Sequence, residues 1–118
     1  MGTVGLRRVY ERSPQGTYRI LVDRVWPRGV SKEKAGVDLW LKDAGPSTEL
    51  RKWFGHDPER FDEFARRYRE ELKDSEALQQ LEDAIREHDT VELVYSAHDE
   101  EHNQAVVLRD VLGGRKGK

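Results

Sequence analysis

One polar segment of the chain combines a carboxylate, two guanidinium groups and an indole within six residues. Residues 23–30 read DRVWPRGV and come directly after an apolar stretch. Proline restricts the residue before it to extended backbone and glycine permits a sharp turn, so a stiff loop is predicted. Arginine suits bidentate binding of phosphate or carboxylate, which makes Arg24 and Arg28 candidate anion ligands beside Asp23 and Trp26. The alternative is an ion pair between Asp23 and one of these arginines that only braces the loop.

A second polar segment follows the mainly apolar stretch 91–94, and residues 95–105 read YSAHDEEHNQA. Ser96 comes where a strand is expected to end, and Asp99 is the expected N-cap of the last helix. His102 and Asn103 then fall in the first helical turn, where they form either part of a site or an anchor for the loop. His102 is the one weak candidate for a catalytic residue, because an unperturbed imidazole titrates near neutral pH.

The placement of the histidines argues against a metal centre. His98 and His102 have the spacing of two zinc ligands on a helix, but the glutamate expected after the first is absent and His98 should precede the helix. The chain has no cysteine to complete a closed tetrahedral site. His56, in an expected loop between helices, either makes a structural hydrogen bond or lies near the rim of a ligand site. We predict no metal and no cofactor, since glycine-rich nucleotide motifs are also absent from the sequence.

The strands that would position these segments are predicted from the apolar pattern. Residues 20–22 are continuously apolar, as is typical of strands covered on both faces, and the stretch 91–94 (VELV) is apolar except for Glu92. Most of the helical pattern lies between them, which leaves room for a right-handed crossover and predicts that the two strands are parallel neighbours. Ligands of such sheets bind beyond the carboxyl ends of the strands, where both polar segments begin.

The complete pattern, β-β-(β)-α-α-α-β-α, predicts a small single three-layer α/β domain with a mostly parallel sheet flanked by helices. The domain is expected to span residues 1–112. Residues 113–118, GGRKGK, have nothing to bury and are expected to form a flexible basic tail.

Several local signals place the remaining elements. A doubtful third strand is expected at residues 37–41, after a short helical turn at 32–35. A short helix should open at Pro46-Ser47, and Asp57 and Ser75 are expected N-caps of two longer helices.

Composition and charge bound the class of protein. The chain has 118 residues, no cysteine, no signal-peptide pattern and no apolar run near the roughly 20 residues of a membrane span. A cytoplasmic protein without a membrane partner is therefore expected. Residues 1–34 carry a net charge of +5 and residues 57–101 a net charge of −10. The basic half could attract nucleic acid, but it lacks interleaved aromatics and a known motif, so nucleic acid is the least favoured partner.

Taken together, these segments resemble the YeaO-like proteins of domain-of-unknown-function family 488. The resemblance rests on residues 21–29 (LVDRVWPRG), 39–43, 46–51, 53–58 (WFGHDP), 95–97 and 101–105. It spans nearly the whole chain and implies an α/β fold and a bacterial-type cytosolic protein, but no established activity. His98 departs from this branch, which usually has lysine there. Longer relatives carry a cysteine in the corresponding region, and a thiol role is not transferred to a chain without one.

We therefore expect a cytosolic α/β protein that binds a small anionic or phosphate-bearing ligand. The expected site residues are Asp23, Arg24, Trp26, Arg28, His56, Ser96, His102 and Asn103. One alternative is a non-catalytic interaction module whose polar loops only brace the fold. A further alternative is nucleic-acid binding through the basic amino-terminal half. The sequence predicts no particular reaction or oligomeric state.

Overall fold

A parallel sheet and the helices that cover it make up the fold, which a computed structural model describes for residues 3–73 and 75–116. The strands are β1 (Thr3–Arg8), β2 (Tyr18–Leu21), β3 (Leu39–Trp40) and β4 (Thr90–Tyr95). The α-helices are α1 (Lys32–Ala35), α2 (Thr48–Phe54), α3 (Phe61–Leu72), α4 (Glu76–Glu87) and α5 (Gln104–Lys116). Single 3-10 turns occur at Lys42–Ala44 and Pro58–Arg60.

The strands are ordered β1-β4-β2-β3, and every pair is parallel. Leu93 in β4 is paired with Leu6 in β1 and with Ile20 in β2. The prediction that the second and last strands are parallel neighbours is therefore confirmed, and so is the small α/β fold. The doubtful third strand exists as well, but only Leu39 and Trp40 form it.

Most buried apolar side chains lie on one face of the sheet, beneath α2 to α5. Ile20, Val91 and Leu93 supply the strand side of this core, and each is fully buried. Phe64 from α3 and Leu108 from α5 pack against them and are no more than 1% exposed. In this packing α5 contacts β1 and β4 and α2 packs against α3, so the polar residues near the starts of α2 and α5 have fixed positions.

Three helical starts are capped as the sequence predicts. The Ser47 hydroxyl accepts the backbone N–H of Leu50 at 3.2 Å, and the Ser75 hydroxyl accepts that of Leu78 at 3.2 Å. The Asp57 carboxylate accepts the N–H of Glu59 at 3.0 Å. These side chains satisfy backbone donors that lack a partner within the helix. Asp57 opens a 3-10 turn that leads directly into α3.

The opposite face of the sheet has a thinner cover, made by α1 and the loops around it. Leu21, Val94 and Ala35 form a small apolar cluster there. Beside it, the Arg7 guanidinium donates to the Glu92 carboxylate at 3.0 and 2.9 Å, and Arg19 is only 7% exposed. These two arginines of the basic amino-terminal half are therefore engaged within the fold.

The start of the last helix differs from the prediction. Helix α5 begins at Gln104, and the Asp99 carboxylate instead accepts the backbone N–H groups of Glu101 at 2.9 Å and His102 at 3.0 Å. The capping side chain is that of Asn103, whose amide oxygen accepts the N–H of Val106 at 3.1 Å. The Asp99 side chain closes a local turn with these backbone N–H groups, so the helix starts about one helical turn later than predicted.

The end of α5 also lies farther along the chain than expected. The helix continues to Lys116, so residues 113–116 of the expected tail have helical backbone. Residues 117–118 of that tail lie outside the described residues. Among the helices that the structure describes, none is long and apolar enough to cross a membrane.

Candidate functional site

A cleft of about 260 Å³ lies where the loop after β2 meets the segment after β4. It is bordered by residues from both segments, from α2 and α3, and from the turn before α2. These residues are Asp23, Arg24, Val25, Trp26, Pro27, Arg28, Pro46, Arg51, Phe54, His56, Phe64, Ser96, Ala97 and Gln104. The parallel arrangement of β2 and β4 brings their carboxyl ends together, which is why two segments distant in sequence share one cleft.

Asp23 is the buried acid of the cleft and is 8% exposed. The Ser96 hydroxyl donates to one carboxylate oxygen at 2.5 Å, and the Gln104 amide donates to the other at 2.5 Å. Burial raises the pKa of Asp23, although the two hydrogen bonds and the nearby charge of His56 oppose that rise. Asp23, which follows β2, is therefore linked by hydrogen bonds to two uncharged side chains of the segment after β4.

Arg24 braces the fold, but through partners that the sequence did not indicate. Its guanidinium donates to the carbonyl oxygens of Pro46 at 2.6 Å and Gly45 at 3.1 Å, and lies 3.6 Å from the Asp43 carboxylate. The structure has no ion pair between Asp23 and Arg24 or Arg28 among the described residues. The predicted ion pair between Asp23 and an arginine of the loop is therefore wrong. The loop is braced instead by the hydrogen bonds that Arg24 donates to the carbonyls of the turn before α2.

Trp26 is fixed within its own loop. Its indole N–H donates to the Val30 carbonyl at 2.6 Å, and its ring meets Trp40 edge-on at a centroid distance of 5.3 Å. Gly29 has a φ of 77°, in the left-handed region that glycine tolerates, as expected for the sharp turn. The loop that carries Arg28 is therefore tied down at several points.

Three cationic or titratable side chains stand exposed around the mouth of the cleft: Arg28, Arg51 and His56. Arg28 and Arg51 have no side-chain hydrogen bond or ion pair with any residue the structure describes. His56 has a φ of 60°, which is unusual for a residue other than glycine. Because such backbone costs free energy and clusters at functional sites, the strained turn at His56 is a feature of the cleft.

Two of the expected site residues lie outside the cleft. His102 forms a 2.9 Å contact between its Nδ1 and the Asp99 carboxylate, and its ring meets Phe61 edge-on. Asn103 is 1% exposed and donates to the Asp99 carbonyl at 2.8 Å while capping α5. Both were predicted to lie in the first turn of the last helix, but α5 starts after them, at Gln104. Asp23, Arg24, Trp26, Arg28, His56 and Ser96 do border one cleft.

Three parts of the cleft were not predicted from the sequence: Gln104, Arg51, and the apolar side chains of Phe54 and Phe64 at its floor. Gln104 is the first residue of α5, where an amide beside two stronger candidates gave no separate signal. Arg51 lies in the middle of α2 and looks like any exposed helical arginine. Only the packing of α2 in the folded domain, where it contacts α3, places Arg51 at the border of the cleft. Across residues 3–73 and 75–116, no three acidic, histidine or cysteine side chains are grouped to hold a metal ion.

Asp23→Asn should remove a pH dependence from the stability of the protein. The raised pKa means that, above the ordinary value of 3.8, the folded protein holds a proton that the unfolded chain releases. The free energy of unfolding therefore falls as pH rises from that value through the raised pKa. Asparagine can still accept from Ser96 and can donate to a rotated Gln104 amide, so the variant should be at least as stable at neutral pH.

Urea unfolding of both proteins at a series of pH values measures this effect as a difference. Other groups also make the stability depend on pH. One is Asp99, whose pKa is lowered by hydrogen bonds from backbone N–H groups and from His102. Their effect is the same in both proteins and cancels in the difference. Parallel stability curves for the two proteins would contradict the assignment to Asp23.

The parallel sheet and the polar cleft at its carboxyl ends define the chain as a small α/β protein of the open-sheet type. A family model described as "Inactive DUF488-N3 subclade" matches residues 3–116, and the chain belongs to this family. An uncharacterised protein of Mycobacterium tuberculosis is 46% identical over 113 residues, covering 95% of each chain. The uncharacterised protein YeaO of Escherichia coli is 40% identical over 107 residues, covering 90% of this chain and 93% of YeaO.

The resemblance to YeaO-like proteins is therefore confirmed over nearly the whole chain. An uncharacterised protein of Mycobacterium bovis is also 46% identical over 113 residues, again 95% of each chain. No solved structure matches this chain.

Proposed function

We propose that this protein binds a small anionic ligand, such as a phosphate or carboxylate group, in the cleft between the ends of β2 and β4. The observation that carries the proposal is the pair of exposed arginines, Arg28 and Arg51, which border one cleft and have no side-chain partner among the described residues. Asp23 is the only carboxylate among the described residues that border the cleft. Three guanidinium groups therefore face one acid, which favours anions.

The state of Asp23 lowers the repulsion that an incoming anion meets. The carboxylate is buried, and the rise in its pKa caused by burial reduces its tendency to carry charge. Its oxygens are already satisfied by Ser96 and Gln104. Arg24 is held by backbone carbonyls, so the arginines left to clasp a ligand are Arg28 and Arg51.

Binding without turnover is the form of the proposal that the site favours. The family description contains the word "inactive". Ser96 donates its hydroxyl proton to Asp23 rather than to an imidazole, and His102 is engaged by Asp99. Ser96 and His56 both border the cleft, but among the described residues no hydrogen bond pairs a nucleophile with a histidine base as in a hydrolase. A cytoplasmic location and a lack of nucleic-acid partners stay predictions.

Arg28→Ala and Arg51→Ala should each weaken anion binding by about tenfold or more, because a charge-assisted hydrogen bond contributes roughly 1.5–3 kcal/mol. Neither change should alter the melting temperature much, since both side chains are exposed and unpaired. Titration of the protein with inorganic phosphate, followed by amide NMR shifts of residues 96–97, measures the affinity.

Lys52→Ala is the matched control, because Lys52 is the exposed neighbour of Arg51 on α2 and does not border the cleft. Its removal changes the net charge equally but should leave the affinity nearly unchanged. Equal weakening in all three variants would indicate nonspecific attraction and refute the proposed site. The absence of any phosphate or sulfate binding would also refute it and favour the interaction-module alternative.

A further inference from the structure

We propose that the anion bound in this cleft is attached to a flat aromatic ring, so that the ligand is an aryl phosphate or a related aromatic anion. This inference rests on the proposed function, since it names the ligand class of the same cleft. It is carried by the juxtaposition of a floor built from rigid rings with a rim of unpaired guanidinium groups.

The floor of the cleft consists of rings that are already fixed by the fold. Phe54 and Phe64 are 5% and 1% exposed, and their rings stack with centroids 4.2 Å apart and planes 18° apart. Pro27 and Pro46 border the same cleft and are buried. The Trp26 indole is locked by its hydrogen bond to the loop. A planar ligand would therefore meet preformed walls and order few side chains when it binds.

The rim has the opposite character. Arg28 and Arg51 are exposed, so the charged part of a ligand can stay partly hydrated while the guanidinium groups hold it. A wholly polar anion would use this rim but would leave the exposed apolar surface of the cleft, above all Val25, in contact with water. A ligand with a ring on one side and an anion on the other satisfies both surfaces. The cleft volume of about 260 Å³ is close to the lower end of small-molecule sites, which suits a single ring with one head group.

Three probes with related head groups separate the contributions of ring and anion. They are inorganic phosphate, glycerol 1-phosphate and phenyl phosphate, each titrated into the full chain and followed by amide NMR shifts of residues 96–97. Phenyl phosphate should bind at least about tenfold more tightly than glycerol 1-phosphate, because the same head group is joined by buried apolar area. Arg51→Ala should weaken both phosphomonoesters to a similar degree.

Two variants locate the ring. Phe54→Leu keeps most of the apolar volume but removes a flat wall, and it should reduce the preference for phenyl phosphate at least about threefold. Val25→Ser changes a residue at the mouth of the cleft that is 57% exposed, so the fold is retained even if the core variant is unstable. It should lower the affinity for phenyl phosphate and leave that for glycerol 1-phosphate unchanged.

The outcomes distinguish this inference from the proposed function beneath it. Equal affinities for the two phosphomonoesters would overturn the aromatic ligand while leaving an anion site in place. A preference that survives both Phe54→Leu and Val25→Ser would place the ring elsewhere and overturn the inference as well. If none of the three anions binds, the proposed function fails, and the inference fails with it.

Discussion

Replacing Arg19 by methionine should lower the free energy of unfolding by about 3–5 kcal/mol, because several buried acceptors lose the guanidinium that donates to them. The guanidinium is 7% exposed and donates to the carbonyls of Glu11 at 2.9 Å and Ala35 at 2.9 Å, and to the Ser13 hydroxyl at 2.6 Å. It therefore joins the loop after β1 to the end of α1. Burial lowers the pKa of Arg19, and the negative charge of Glu92 opposes this.

Urea unfolding at neutral pH measures this loss, and Arg12→Met is the matched control. Arg12 lies in the same loop, is exposed, and has no side-chain hydrogen bond or ion pair with the residues that the structure describes. Its replacement removes the same charge and should change the free energy of unfolding by less than about 0.5 kcal/mol. A similar small change for Arg19→Met would show that the buried guanidinium contributes little net stability.

Gly45→Ala should lower the free energy of unfolding by about 3 kcal/mol, because overpacking against rigid backbone forces a shift of the chain. A Cβ atom at this position would stand 3.0 Å from the backbone nitrogen of Arg24 and 3.1 Å from the carbonyl oxygen of Val22. The φ of Gly45 is −75°, which any residue adopts, so close approach rather than backbone conformation requires glycine here. The shift should also move the Pro46 wall of the cleft and weaken anion binding.

Gly5→Ala tests whether the effect depends on the site. A Cβ atom at Gly5 would meet the Glu92 side chain at 3.6 Å, an ordinary contact. Alanine at a compatible position reduces the freedom of the unfolded chain, so this variant should be neutral or more stable by up to about 1 kcal/mol. Thermal melts and phosphate titrations of both variants decide the matter. Equal stability of the two variants would contradict the close packing at Gly45.

The features that could be predicted from the sequence are those with a local cause. Ser47 and Ser75 cap helices because a side-chain oxygen close in sequence satisfies a backbone donor, whatever the rest of the fold does. The apolar residues 20–22 and the mainly apolar stretch 91–94 indicated central strands, and the helices expected between them indicated parallel pairing. From these followed the convergence of Asp23 and Ser96 on one cleft.

The features that could not be predicted depend on competition or on packing. Asp99 could cap a helix or close a turn by itself, and both arrangements suit the same short sequence. The start of α5 was predicted too early in the sequence. For that one reason His102 and Asn103 were both wrongly predicted to lie in the site. The burial of Arg19 and the orientation of Arg51 follow from contacts between distant segments, which no local pattern encodes.

The strand order has a consequence for how the chain reaches its native state. Strand β1 pairs only with β4 in the described sheet, and β2 has β4 as its longer partner. Strand β4, which lies between β1 and β2, is therefore the last strand to be synthesised. Until it is made, β1 and β2 lack the partner along their shared edge. Because these pairings join residues far apart in the sequence, the fold has many non-local contacts, and such folds form slowly. A nascent chain that ends before Thr90 can form no strand pairing of this sheet beyond the short one between β2 and β3, so we expect the domain to assemble late in synthesis.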